Sequence, residues 1–150
     1  MRMAAVVIVT GVLVFGFTGV SFAPYHTQSA PPAAAADVKT QVGTAVTHAG
    51  FAADSAGLSA VQQHLGHTLN CLEGTKGKNF NQSWGHVCQG QGNGILVDLK
   101  TASGGAALMV VAESAGGLAL DGVKSKDLAE AKAAAKGVGA LLKVIADSLK

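Results

Sequence analysis

The sequence predicts an all-α domain, an antiparallel four-helix bundle with a long glycine-rich loop between its second and third helices. Apolar residues recur at intervals of three and four along four segments, which is the period of one helix face. No segment of useful length alternates apolar and polar residues, so no strand is expected outside the loop. Four such helices, joined in sequence as two hairpins, are expected to form an antiparallel bundle.

The N-terminal residues 1–36 have the features of an export signal. Arg2 supplies one positive charge, residues 4–23 carry none, and a tract rich in alanine and proline follows. We expect cleavage after Ala36 rather than after Ala23, because Pro24 disfavours the earlier site. The alternative is a retained anchor, since 20 apolar residues can just span a bilayer. In the favoured interpretation, residues 37–150 form a periplasmic or secreted domain that leaves the membrane once the signal is cleaved.

The first helix is predicted over residues 37–54, with Asp37 as its N-cap. Its apolar stripe comprises Val38, Val42, Val46, Ala49 and Ala53. The second helix is predicted to start at a capping box formed by Ser59 and Gln62 and to end at Gly74, a suitable C-cap. Its apolar stripe comprises Leu58, Val61, Leu65, Leu69 and Leu72.

The third helix is predicted from about Asp98 to Leu118, with the pair Gly104-Gly105 inside it. One side of it is lined by Leu99, Ala102, Ala106, Met109 and Val110. The fourth helix is predicted to begin near Ser125. Its apolar stripe is nearly heptad and comprises Leu128, Ala131, Ala135, Val138, Leu142, Ile145 and Leu149.

The loop over residues 73–97 has no hydrophobic period, and a cysteine lies on each side of its first half. Cys71 and Cys88 are the only cysteines of the chain, an even number in a protein that we expect to be exported. This combination predicts one disulfide, which by chain entropy would contribute about 3 kcal/mol. A site in which the cysteines bind a metal is the alternative, but an oxidising compartment disfavours the thiolates that it needs.

The composition excludes several classes of function. The net charge is +2 and only 5% of the residues are aromatic, so the chain lacks the basic stripe and stacking surface of a nucleic-acid-binding protein. No GxSxG motif is present, and no paired carboxylates accompany the histidines on their helices. We therefore expect a binding protein rather than an enzyme.

The histidines are the candidate functional residues. On the second helix, His64 and His67 lie three residues apart on the flank away from the leucines, a spacing that lets both rings point at one place. His48 lies in the first helix, which we expect to pack beside the second. His86 lies in the loop that the predicted disulfide ties to the second helix. Neutral imidazoles bind zinc, copper or nickel. Haem b, with two histidines or one histidine and Met109 as axial ligands, is a less favoured ligand, and a purely structural role for the histidines is the remaining alternative.

The segment HLGHTLNCLEG, followed by Gly77, Phe80, Cys88 and the GQGNG run before Asp98, resembles a family of small exported bacterial proteins with the pattern HLxHTLNCLxGxxGxxF…C…GxG…D. The resemblance covers residues 64–98, although many members have Asn-Pro before the second cysteine where this chain has His86-Val87. It implies that His64, His67, Asn70 and both cysteines belong to one constellation, and it implies no mechanism.

The sequence as a whole predicts an exported bundle that binds a divalent metal ion as a carrier, sensor or buffer. The candidate metal ligands are His48, His64, His67 and His86, and the candidate residues around the site are Asn70, Glu73 and Trp84. The competing hypothesis is a structural module of the cell envelope whose loop binds a protein partner.

Overall fold

A computed structural model describes residues 37–149, and within that range the protein is helical and contains no strand. The helices are α1 (Val38–Asp54), α2 (Leu58–Glu73), the short α3 (Ile95–Asp98), α4 (Gly105–Lys124) and α5 (Leu128–Ser148). A single 3-10 turn, Gln82–Trp84, lies in the loop between α2 and α3. The predicted export signal lies outside the described residues. The all-α prediction is confirmed for the part of the chain that the structure describes.

The four longer helices share one core. α1 contacts α2 and α5, α4 contacts the same two helices, and α2 also contacts α5. Alanine fills much of this core, so the helices approach closely. At Gly122 of α4, for example, an added methyl group would lie 2.6 Å from a Leu65 methyl and 2.9 Å from the Ala134 methyl. Such contacts bring apolar surface together with few large side chains.

α1 and α5 match their predicted patterns. The Asp37 side chain accepts a hydrogen bond from the Lys39 backbone N–H, as expected of an N-cap. α5 begins at Leu128 rather than near Ser125, because the Asp127 side chain caps it. Its predicted stripe is buried, apart from the half-buried Leu128.

The predicted start of α2 is wrong, whereas its predicted end is confirmed. α2 begins at Leu58 after Gly57, so Ser59 lies inside the helix and caps nothing. Gln62, the predicted second member of the capping box, donates instead to the Val123 and Ser125 carbonyls at the end of α4. At the other end Gly74 is the C-cap, with a φ of 66° that favours glycine.

The predicted third helix is wrong in both its bounds and its buried face. Gly104 has a φ of 72°, which separates α3 from α4. A methyl group on Gly105 would also overlap the Leu99 carbonyl. Because α4 begins a new helix after this break, its buried face is out of phase with the predicted stripe, and Ala106 and Val110 are exposed. The residues that α4 buries are Gly105, Leu108, Ala112, Ala115, Gly116, Ala119 and Gly122.

By length and composition alone, α4 is apolar enough to cross a membrane, a property that the core helices of soluble proteins share. In this structure it packs against α2 and α5.

The predicted disulfide is confirmed. Cys71, near the end of α2, is bonded to Cys88, and their Cα atoms are 5.3 Å apart. Both residues are buried. The bond therefore fixes the middle of the long loop against the C-terminal half of α2, within two turns of His64 and His67.

Candidate metal centre

Three histidines from α1 and α2 meet at one place. The Nδ1 atom of His48 lies 3.3 Å from the Nδ1 of His64 and 3.1 Å from the Nδ1 of His67. The ligand nitrogens of all three lie within 4.8 Å of one another. The predicted juxtaposition of His48, His64 and His67 is therefore present, and these residues lie close enough to bind one metal ion.

Two of the three pairs of nitrogens are spaced as ligands around one ion are. Zinc–nitrogen bonds of about 2.0–2.1 Å at the tetrahedral angle place two nitrogens about 3.3–3.4 Å apart. The distances of 3.3 Å and 3.1 Å at His48 are close to this value. Without an ion, the Nδ1 of a neutral imidazole either donates or accepts one hydrogen bond, so His48 cannot bond well to both neighbours. A cation can accept all three lone pairs at once.

The histidine cluster favours neutral rings, the form that binds metals. The pKa of His48 is lowered to about 4, mainly by burial and in addition by the neighbouring His67 and His64. Burial also lowers the pKa of His67, with a contribution from His64 in the same direction, while the Trp84 carbonyl acts in the opposite direction. At neutral pH the lone pairs of His48 and His67 are consequently not lost to protonation.

The cluster is half-buried and has an aromatic neighbour. The Phe51 ring lies 5.5 Å from the His48 ring and 5.4 Å from the His64 ring, measured between centroids, and half of Phe51 is exposed. Among the described residues, no carboxylate or thiolate joins the three histidines as a further ligand. An ion held here would therefore keep its positive charge and one or more open coordination positions.

His67 is also bonded on its other ring nitrogen. Its Nε2 lies 3.1 Å from the Nε2 of Gln63, one turn earlier on α2. The same Gln63 nitrogen donates to the Trp84 carbonyl at 2.7 Å. Gly85 lies against this side of the ring, since a methyl group on it would be 3.5 Å from His67 Nε2. The loop thus provides one wall of the site.

Asn70 and Trp84 fix this part of the loop to α2. The buried Asn70 side chain donates to the Asn81 and Gly85 carbonyls and accepts from the Asn81 backbone N–H. The Trp84 indole covers Gly66 so closely that a methyl group on that glycine would overlap it. Two of the three residues predicted to surround the site therefore hold the turn that contacts His67.

His86 and Glu73 lie elsewhere. The His86 ring packs edge-on against Phe80, with centroids 5.3 Å apart, and burial lowers its pKa. It does not belong to the group of ligand nitrogens formed by the other three histidines. Glu73 accepts a hydrogen bond from Asn79 and so stabilises the start of the loop.

Two features of the site were not predicted. Gln63 could have been found, because it lies four residues before His67 and such pairs face each other on a helix. The second feature is a buried network in which Gln41 of α1 donates to Asp98 at 2.6 Å and accepts from the Gly94 backbone N–H. It fixes the end of the loop to α1, and the sequence contains no local pattern that indicates it.

Comparison of the chain with protein-family models, curated proteins and solved structures found no match to any of them.

Proposed function

We propose that this protein binds one divalent ion of zinc, copper or nickel through His48, His64 and His67, as an exported carrier, sensor or buffer. The observation that carries the proposal is the convergence of three Nδ1 atoms, two pairs of which are spaced as ligands of a single ion would be. Imidazole nitrogens are suitable donors for each of these metals.

The number of ligands favours reversible binding over a structural role. Structural zinc sites are closed by four protein ligands, whereas this group provides three. The remaining coordination position is open to water or to a donor from another molecule. An ion held in this way can be exchanged, which a carrier, sensor or buffer requires.

Haem b fits the cluster less well than a single ion does. The three imidazole rings lie 4.8–5.6 Å apart between centroids. Two axial ligands lie on opposite faces of a porphyrin, with iron–nitrogen bonds on each side. Rings this close leave no space for the macrocycle between any two of them.

The proposed setting is an antiparallel four-helix bundle outside the cytoplasm. The contacts of α1 with α2 and α5, and of α4 with the same pair, support the bundle. The disulfide supports an oxidising compartment. Because both cysteines are bonded to each other, a ligand set made only of histidines suits such a compartment.

Titration calorimetry and elemental analysis test the proposal. The disulfide-bonded protein, prepared free of metal, is titrated with Zn²⁺, Cu²⁺ and Ni²⁺, and we expect one equivalent of at least one of them to bind. The single variants H48A, H64A and H67A are expected to weaken binding by at least about tenfold each, since every one removes a ligand.

The matched control is H86A, which removes a histidine that lies outside the cluster and is expected to bind metal as the wild type does. Circular dichroism confirms that each variant is folded. If the wild type binds none of the three ions, or if the three cluster variants bind as tightly as H86A, the proposal is wrong, and the envelope-module hypothesis becomes the better one.

A further inference from the structure

The hydrogen bonds of Gln63 determine which nitrogen of His67 carries the proton. The Trp84 carbonyl can only accept, so the Gln63 atom 2.7 Å from it is the amide nitrogen. The same nitrogen lies 3.1 Å from His67 Nε2, and because it is a donor, that ring nitrogen must be the acceptor. A neutral His67 therefore carries its proton on Nδ1, the atom that faces His48.

This proton is in the wrong place for metal binding. The Nδ1 atom of His67 points into the cluster, and it can bind an ion only through a free lone pair. The neutral ring must then carry its proton on Nε2 instead, where it faces the donating nitrogen of Gln63. Two donors would face each other, so the bond between Gln63 and His67 cannot persist in the metal-bound protein.

An acceptor for the new proton is already in place. The Trp84 carbonyl lies beside Gln63, and Gly85 brings the loop backbone against His67 Nε2. Metal-binding histidines usually donate their second N–H to a carboxylate, a backbone carbonyl or water, which fixes the ring for the metal. The Trp84 carbonyl can serve His67 in this way once Gln63 releases it.

We propose that Gln63 opposes metal binding, by holding His67 in the metal-free tautomer and by occupying the Trp84 carbonyl that the metal-bound tautomer needs. This inference rests on the proposed function, since it describes how the same site is regulated. When the metal binds, the Nδ1 proton of His67 leaves to water and Nε2 takes up a proton from water. The Trp84 carbonyl, which had accepted a hydrogen bond from Gln63, then accepts one from the Nε2–H of His67. The ring is neutral before and after the exchange, and no net proton is gained or lost by it.

The fixed position of the loop gives this exchange its geometry. Asn70 holds the carbonyls of Asn81 and Gly85, on either side of the turn that carries Trp84. The disulfide holds Cys88 to α2 beyond it. Because the turn is fixed on both sides, the Trp84 carbonyl stays within reach of α2 while its partner changes.

The test compares Q63A with Q62A. The first variant removes the competing amide, and we expect it to bind Zn²⁺ about three- to tenfold more tightly than the wild type, the range that corresponds to one hydrogen bond. Gln62, one residue earlier, donates to the Val123 and Ser125 carbonyls. Q62A is therefore expected to lower the thermal stability and leave the zinc affinity unchanged.

Two spectroscopic measurements report on the exchange itself. Nitrogen-15 NMR of the metal-free protein assigns the tautomer of His67, which we expect to be the Nδ1–H form in the wild type and to shift toward the Nε2–H form in Q63A. Trp84 is the only tryptophan of the chain, so its fluorescence is expected to change when zinc binds.

The outcomes separate this inference from the proposed function. A wild type that binds no metal ion overturns the proposed function, and this inference falls with it. A wild type that binds zinc, together with a Q63A variant that binds it equally or less tightly, overturns the role of Gln63 alone. An Nε2–H tautomer of His67 in the metal-free wild type does the same.

Discussion

The two helical pairs of this domain are held together in different ways. α4 and α5 pack through small residues, as at Gly122 and Ala134, and the one ion pair within α5, Lys143 with Asp147, is exposed. α1, α2 and the loop are instead joined by the disulfide and by buried hydrogen bonds, among them Gln41 with Asp98. Polar connections are costly to bury and need defined geometry. They join the two helices and the loop that carry the three histidines and the Trp84 carbonyl beside them.

Ile145→Ala, in the core of α5, is expected to have the largest effect on stability and little effect on the site. Its side chain is fully buried, so its loss leaves a cavity that costs about 2–5 kcal/mol in the free energy of unfolding. Denaturant titration measures this loss, and calorimetry of the folded variant is expected to give the zinc affinity of the wild type. A large drop in affinity would show that the site depends on the packing of α5 against α1.

Removal of the disulfide is expected to affect both stability and metal binding. The Cys71→Ala, Cys88→Ala double variant loses a link across a separation of 17 residues, which is worth about 3 kcal/mol in the chain-entropy model. Because the loop that contacts His67 is then free to move, we expect zinc to bind less tightly as well. If its affinity equals that of the wild type, the loop does not support the site, and the contrast with Ile145→Ala disappears.

Asn70→Ala is expected to have a smaller effect on stability, about 1–3 kcal/mol, because it removes three hydrogen bonds to part-buried backbone groups of the loop. The matched control is Asn79→Ala, which removes the same side chain from a half-buried position where it bonds only to Glu73. Thermal unfolding measures both variants. Equal losses would mean that Asn70 has no special part in fixing the turn of Trp84.

The smallest expected effect is a dependence of stability on pH in the metal-free protein. The unfolded chain binds a proton at His48 with a pKa of about 6.5, whereas the folded protein resists it until about pH 4. The unfolded state therefore gains protons first, and the free energy of unfolding is expected to fall as the pH decreases from about 6.5 to about 4. In His48→Asn the fall should be smaller, and identical pH profiles for the two proteins would contradict the environment described for this ring.

Several features could be predicted because they depend on residues close together in the sequence. The apolar stripe of α5 and the Asp37 cap follow from helical periodicity and from the hydrogen-bonding groups of one helix turn. The placement of His64 and His67 on one side of α2 follows from their spacing of three. The disulfide could be predicted because the chain has only two cysteines.

The third helix shows why local pattern is not sufficient. Its alanines and glycines are compatible with several helix phases, and only the left-handed turn at Gly104 fixes which face of α4 is buried. The resulting phase depends on the packing of Gly105 against Leu99. A periodicity argument that continues through the break places Val110 in the core, whereas the structure exposes it.

By itself, the sequence determined the helical class of the described domain, the disulfide and the pairing of two histidines on α2, since each depends on composition or on the period of one helix. Only the tertiary structure decided that His48 completes a group of three and that His86 stands apart. It also decided that the Trp84 carbonyl accepts from Gln63 beside His67. These contacts join residues far apart in the chain, and their distances depend on how α1, α2 and the loop pack against one another.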